Sequence, residues 1–200
     1  SSPIYGSHYL NCILSGNSAD NGGGTAYGTL SNCTLSVNSA YWGGGAYNGT
    51  LYNCTISGNS ANTGGGVEGS TLNNCMLTTN QASTQGGGSM ESTLNNCTLS
   101  GNSADNSGGA ARGGTLNNCK IIGNSSPNSC GGTLLCTLNN CTLYGNLKGG
   151  MRSGTARNTI SFGNTGYEMT NVSAALCYTN DPLFVNAAAG NLHLNSNSPC

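Results

Sequence analysis

Apolar residues return in a fixed phase along most of the chain. Tyr9, Leu30, Leu51, Leu72, Leu94, Leu116 and Leu138 stand three residues before a cysteine. Leu14, Leu35, Ile56, Leu77, Leu99, Ile121 and Leu143 stand two residues after it. Ala19, Ala40, Ala61, Ala82 and Ala104 stand seven after it, giving way to Ser126 and Lys148. The cysteines themselves, Cys12, Cys33, Cys54, Cys75, Cys97, Cys119 and Cys141, are spaced by 21, 21, 21, 22, 22 and 22 residues. Each cysteine and the apolar residue two beyond it share one face of an extended segment, with Thr or Ser on the other, which predicts a short strand. A glycine triplet in most repeats and the lack of a 3.6-residue apolar period exclude helices. One apolar triplet per repeat is too little to close a core, so the repeats must stack and pool their cores.

A chain that advances by one strand spacing, about 4.8 Å, per repeat is an all-β parallel β-solenoid, here of seven to eight coils and roughly 40 Å long. Two asparagine columns mark its turns. One immediately precedes the cysteines, from Asn11 to Asn140, and the other comprises Asn17, Asn38, Asn59, Asn80, Asn102, Asn124 and Asn146. Asparagine tolerates left-handed backbone geometry, and its amide can bond the same amide one coil away, so both columns are expected to act as turn ladders. From the fourth repeat onward one extra residue falls between the alanine column and the glycine run, as in Ser83-Thr84-Gln85, which places a variable loop on one edge of the rod.

Composition then narrows the function. The chain has 33 Gly, 11 Cys, five basic and six acidic residues, and 6% charged residues, against about 25% in an ordinary soluble domain. Taken alone that suggests a disordered polar tract; the repeat overturns the suggestion. A net charge of −1 gives no footprint for nucleic acid or anionic lipid, and no apolar run is long enough for direct membrane insertion.

The phrase C-T-[LI]-S-G-N-S-A followed by G-G-G resembles the bacterial right-handed parallel β-helix repeat proteins of secreted or cell-surface type, over about residues 9–164. Residues 165–200 read as a closing segment of the same domain. Within them Asp181-Pro182-Leu183-Phe184-Val185, Asn191-Leu192-His193-Leu194 and Asn197-Ser198-Pro199-Cys200 look like the closing segment of the choice-of-anchor group. The resemblance implies an extracellular or surface location. A start at Ser1, without initiator Met or signal peptide, is what a processed secreted form would show.

The candidate chemistry is sparse. The cysteine column reads as buried free thiols, since parallel Cβ vectors suit no unstrained disulfide and a flat column offers no zinc tetrahedron. Cys130, Cys136, Cys177 and Cys200 lie off that column and are the disulfide candidates. No cofactor or metal is expected. Polysaccharide lyases and hydrolases need converging carboxylates, whereas Asp20 and Asp105 lie four coils apart and His8 and His193 have no placed partner. Glu68, Glu91 and Arg112 fall on successive coils, with a Glu91–Arg112 surface ion pair expected.

Thr/Ser pairs after each cysteine resemble the flat array of ice-binding solenoids, but Met76, Lys120 and Ile122 interrupt it. Tyr27, Tyr41, Trp42 and Tyr47 cluster near one glycine corner, a contact for glycans or for assembly. Together these features predict a non-enzymatic extracellular structural solenoid, a stalk or self-assembling filament subunit whose main partner is itself. The alternative is a carbohydrate-binding or adhesive surface module, ahead of a polysaccharide lyase or hydrolase or an ice-binding protein.

Overall fold

The computed structural model of the chain describes residues 6–187 and 191–198. It is a parallel β-solenoid of about eight turns, and none of the described residues lies in an α-helix. Three parallel sheets run along the rod. One has twelve strands from His8–Leu10 to Met169–Ala175, the second eight from Ile13–Ser15 to Ile160–Phe162, and the third five from Ser18–Asn21 to Ser103–Ala104. Leu30, Leu51, Leu72, Leu94, Leu116 and Leu138 are successive register partners in the first sheet. The column from Leu14 to Leu143 stacks the same way in the second. From Leu30 onward these side chains are fully buried and, with the cysteines, form one continuous core. The extra residue of the fourth repeat is absorbed as a bulge, with Ala61 opposite Ala82 but Thr63 opposite Gln85.

Left-handed backbone forms the corners of each coil. The asparagine column before the cysteines has φ between +45° and +55° from Asn11 to Asn158. A second corner column is mostly glycine, with Val37 and Thr79 in the same conformation, and a third, Gly22, Gly43, Gly64, Gly86 and Gly108, opens the glycine runs of five successive coils. The fourth contains Tyr27, Asn48, Gly69, Glu91, Gly113, Leu135, Ser153 and Asn171.

The two properties expected of asparagine divide unequally. The left-handed backbone belongs to the column before the cysteines, where Asn53 Nδ2 donates to Asn32 Oδ1 and Asn158 Nδ2 to Asn140 Oδ1, while the continuous amide ladder belongs to the other column. The left-handed asparagines are exposed, whereas Asn38, Asn59, Asn80, Asn102, Asn124 and Asn146 are buried inside the rod. Each buried amide donates through Nδ2 to the Oδ1 of the next coil and to a core backbone carbonyl, while its backbone N–H donates to that same Oδ1. A buried amide is tolerable only when its donors and acceptor are met, and here they are.

The cysteines also form a ladder. The backbone N–H groups of Cys12, Cys33, Cys54 and Cys75 each donate to the Sγ of the following coil at 3.4 Å. Thr159 takes the cysteine's place in the next coil, its Oγ1 accepting from Cys141 N. Ile160 then pairs with Tyr178, which puts Cys177 next on the column rather than off it. The spacing Cys141–Thr159–Cys177 is 18 residues per coil, because the stretch between the buried asparagine and the first-sheet strand shortens from eight residues, 125–132, to four, 147–150. Ala156 and Ser161 replace leucines in the core there, so the rod tapers.

The candidate disulfides are corrected accordingly. Cys130, Cys136 and Cys177 are free thiols, and Cys200 lies outside the described residues. Cys130 Sγ donates to the carbonyls of Thr133 and Gly149, and Cys136 Sγ to those of Leu134 and Gly113. Burial pushes the Cys33 thiol up, Cys130 to about 11 and Cys136 to about 12. Thiolate is the reactive form, so a disulfide-exchange reagent at pH 8 should label Cys12 and Cys177 in the native chain. The buried thiols should react only as it unfolds; fast labelling of all in the native state would contradict this packing.

The closing segment does two things. Met169–Ala175 still pairs in register with Met151–Arg157, so the coil continues past residue 164. The antiparallel pair Phe184–Asn186 and Asn191–Leu194 then folds back along the side of the rod, where Phe184 meets Tyr144 edge-on at 6.1 Å.

Candidate functional surfaces

Most outward columns repeat the same residue type, so coil-specific chemistry concentrates where they do not. The column after the glycine run reads Ala26, Tyr47, Glu68, Met90, Arg112, Leu134 and Arg152 in register. Across the glycine corner it faces the column Asn21, Trp42, Thr63 and Gln85. The hydrogen bond from Thr63 Oγ1 to Glu68 Oε2, 2.6 Å, spans the two. Trp42 and Tyr47 hold the equivalent facing positions one coil earlier. Tyr27 meets Tyr47 edge-on at 5.8 Å, and Tyr41 meets Trp42 at 4.6 Å, so the four aromatics do share one stretch of edge. Tyr27, Tyr41 and Trp42 are more than 40% exposed.

The polar groups of this edge are set by glycines. An added Cβ at Gly69 would run into Asn48 Oδ1, and one at Gly113 would lie 3.2 Å from Glu91 Cγ. The two glycines therefore leave seats over which the Asn48 and Glu91 side chains extend. Arg112 does not pair with Glu91 as expected. Register puts it opposite Met90, and its Nη1 lies 3.9 Å from Met90 Sδ.

Burial pushes the Glu68 carboxyl up from its usual range, opposed by the Thr63 hydrogen bond and reinforced by the charge of Glu91. A carboxylate whose pKa is raised on folding favours the fold while protonated and loses that advantage as pH rises through the folded value. Glu68→Gln should therefore leave stability unchanged below the unfolded carboxylate range, about pH 4, and raise it at pH 7. Urea midpoints of both proteins at the two pH values test this, and a lower midpoint for the variant at pH 7 would contradict it.

The remaining candidates do not converge. Asp20 and Asp105 are exposed in the same outer column, and His8 and His193 lie on the first strand and the side hairpin. Among the described residues no group of three His, Cys, Asp or Glu side chains could hold a metal. Among those residues no helix is long and apolar enough to cross a membrane. A groove of about 490 Å³ near the tapered end is lined by Cys177, Tyr178, Leu176 and Leu194 among others.

The two ends of the rod differ. At the first coil Leu10 and Ile13 are 64% and 76% exposed, and Asn17 begins the amide ladder. At the other end Asn146 Nδ2 donates to Asn164 Oδ1, and Asn164 donates through N and Nδ2 to the Glu168 carboxylate, which also accepts from Ser161 Oγ. Glu168 thus terminates the ladder.

Reading the repeat alone missed three features. Asn164 and Glu168 follow a broken repeat and have no coil-to-coil signal. Thr29, Thr50, Thr71, Thr93, Thr115, Thr137 and Thr155 form an uninterrupted outward column on the first sheet. Asn73, Asn95, Asn117 and Asn139 add a surface amide ladder beside it at 2.8–3.0 Å. Both are visible in the T-L-N-N-C phrase, which carries threonine two positions before its first asparagine.

No family model and no curated protein matches the sequence. Among solved structures, pectate lyase Pel9A aligns at TM-score 0.43 and 11% identity over 96% of this chain, which spans 62% of the lyase. HetL, a pentapeptide repeat protein from the cyanobacterium Nostoc, aligns at 0.41 and 11% over 88% of this chain and 85% of its own. The fluoroquinolone resistance protein QnrB1 aligns at 0.38 and 12% over 94% and 100%. At these scores the likenesses carry no argument about activity.

Proposed function

We propose that the chain is a non-enzymatic structural β-solenoid of the bacterial cell exterior, a stalk or filament element that makes end-on contact through its first coil. The observation that carries this reading is the asymmetry of the ends. The strands His8–Leu10, Ile13–Ser15 and Ser18–Asn21 each have a single paired neighbour among the described residues, as do Ile160–Phe162 and Met169–Ala175 at the other end, and such edges recruit further strands. What separates the ends is that Glu168 closes the amide ladder at the second and no group closes it at Asn17 among the described residues. Between the ends the faces are Thr, Ser and Asn with few charges, which oppose contact weakly. Because Glu168 closes the amide ladder, a head-to-tail fibre would have to join through backbone pairing of the sheets, without continuing the ladder.

Electron micrographs and sedimentation of the intact chain across a wide concentration range test the proposal. Fibres or end-joined oligomers support the filament form. A strict monomer at every concentration removes self-assembly and leaves the stalk. Release of oligosaccharide products from a polysaccharide, abolished by Glu68→Gln, would overturn the non-enzymatic reading.

A further inference from the structure

We infer that the edge around Trp42 and Tyr47 is a binding site for a linear, neutral oligosaccharide of pyranose units. Sugar rings present an apolar face that stacks on aromatic rings and a rim of hydroxyls that needs donors and acceptors beside them. Both halves of that requirement are built here. Trp42 and Tyr47 face one another across the Gly43–Gly45 corner, and their edge-on contacts with Tyr41 and Tyr27 fix the rings. One coil further along the axis stand the Glu68 carboxylate, half-buried and held by Thr63, and the Asn48 amide, laid over Gly69. Glu91 follows on the next coil.

The polar groups are therefore displaced from the platform along the rod, in steps of about 4.8 Å. An extended chain lying parallel to the axis can stack one residue on the aromatics while the next one or two present hydroxyls to Asn48 and Glu68. The two carboxylates also set the charge of the ligand. Polyuronates carry one negative charge per residue and would be repelled beside Glu68 and Glu91, whereas neutral chains would not. A protein partner is the less suitable occupant, because the aromatic stretch is narrow and runs directly into these carboxyl and amide groups.

The test is titration of the intact chain with cellohexaose, mannohexaose, chitohexaose and a hexamer of galacturonic acid, followed by isothermal calorimetry and tryptophan fluorescence. At least one neutral hexamer should bind and shift the Trp42 emission, since Trp42 is the chain's only tryptophan. Trp42→Ala and Tyr47→Ala should each weaken binding about tenfold, and Glu68→Gln less. Thr142→Ala, on the far second sheet, should leave it unchanged. Unfolding midpoints of the variants establish that they fold, which exposed positions such as Trp42 permit. Absence of binding by every neutral hexamer at millimolar concentration would overturn the inference. So would tighter binding of the galacturonate hexamer, or equal affinity in wild type, Trp42→Ala and Tyr47→Ala.

Discussion

Replacing Asn102 with leucine is expected to cost about 4 kcal/mol of stability, although the two side chains are close in volume. Asn102 Oδ1 accepts from both the backbone N–H and the Nδ2 of Asn80, and its own Nδ2 donates to Asn124 Oδ1 and the Leu77 carbonyl. Leucine fills the space but leaves two donors of Asn80 in the core with no acceptor, at about 1–3 kcal/mol each. The same change at Asn17, which is exposed at the first coil and accepts from no earlier asparagine among the described residues, should cost under about 1 kcal/mol. Urea unfolding of the two variants checks the contrast. Equal losses would mean that the buried ladder is not what the substitution disturbs.

Alanine at Gly87 should be at least as damaging, with loss of soluble folded protein or a fall of more than about 4 kcal/mol. The reason is not backbone conformation, since Gly87 does not lie in the left-handed region. A Cβ there would fall inside the carbonyl oxygens of Ser103 and Gly109 on the next coil. Both are backbone atoms held by the stack, so neither can move without opening it. Gly101 provides the control. Its φ is +62°, but an added Cβ would meet only Thr79 Cγ2 at 3.7 Å, and Val37 and Thr79 already occupy that corner column. Gly101→Ala should therefore cost about 1–2 kcal/mol, the ordinary price of left-handed alanine. Circular dichroism melts of both variants separate close backbone approach from conformational strain.

The columns that define the solenoid were legible in the sequence because stacking requires one residue type at one place in every coil. Leucine, cysteine, asparagine and glycine columns each answer a local demand that recurs about every 4.8 Å. Legibility failed where the demand changed. The shift from 22 to 18 residues per coil erased the phase that would have put Cys177 on the cysteine column, because the stretch between Asn146 and Met151 is four residues shorter than its counterpart between Asn124 and Thr133. Glu68 and Glu91 were visible as candidates, but the seats under Asn48 and Glu91 depend on glycines one coil away, a relation that no single repeat contains. Sequence also could not say which asparagine column points inward, since both recur with the same period and only the pleat decides between them.

The buried asparagines have one more consequence. From Asn17 to Asn164 every amide donates toward the same end of the rod, so their dipoles add instead of cancelling. The positive end of that row meets Glu168, as an anion sits at the amino end of an α-helix. A rod that is nearly uncharged by composition thus has a fixed electrical direction along its interior, which ends on the half-buried Glu168 at the tapered end.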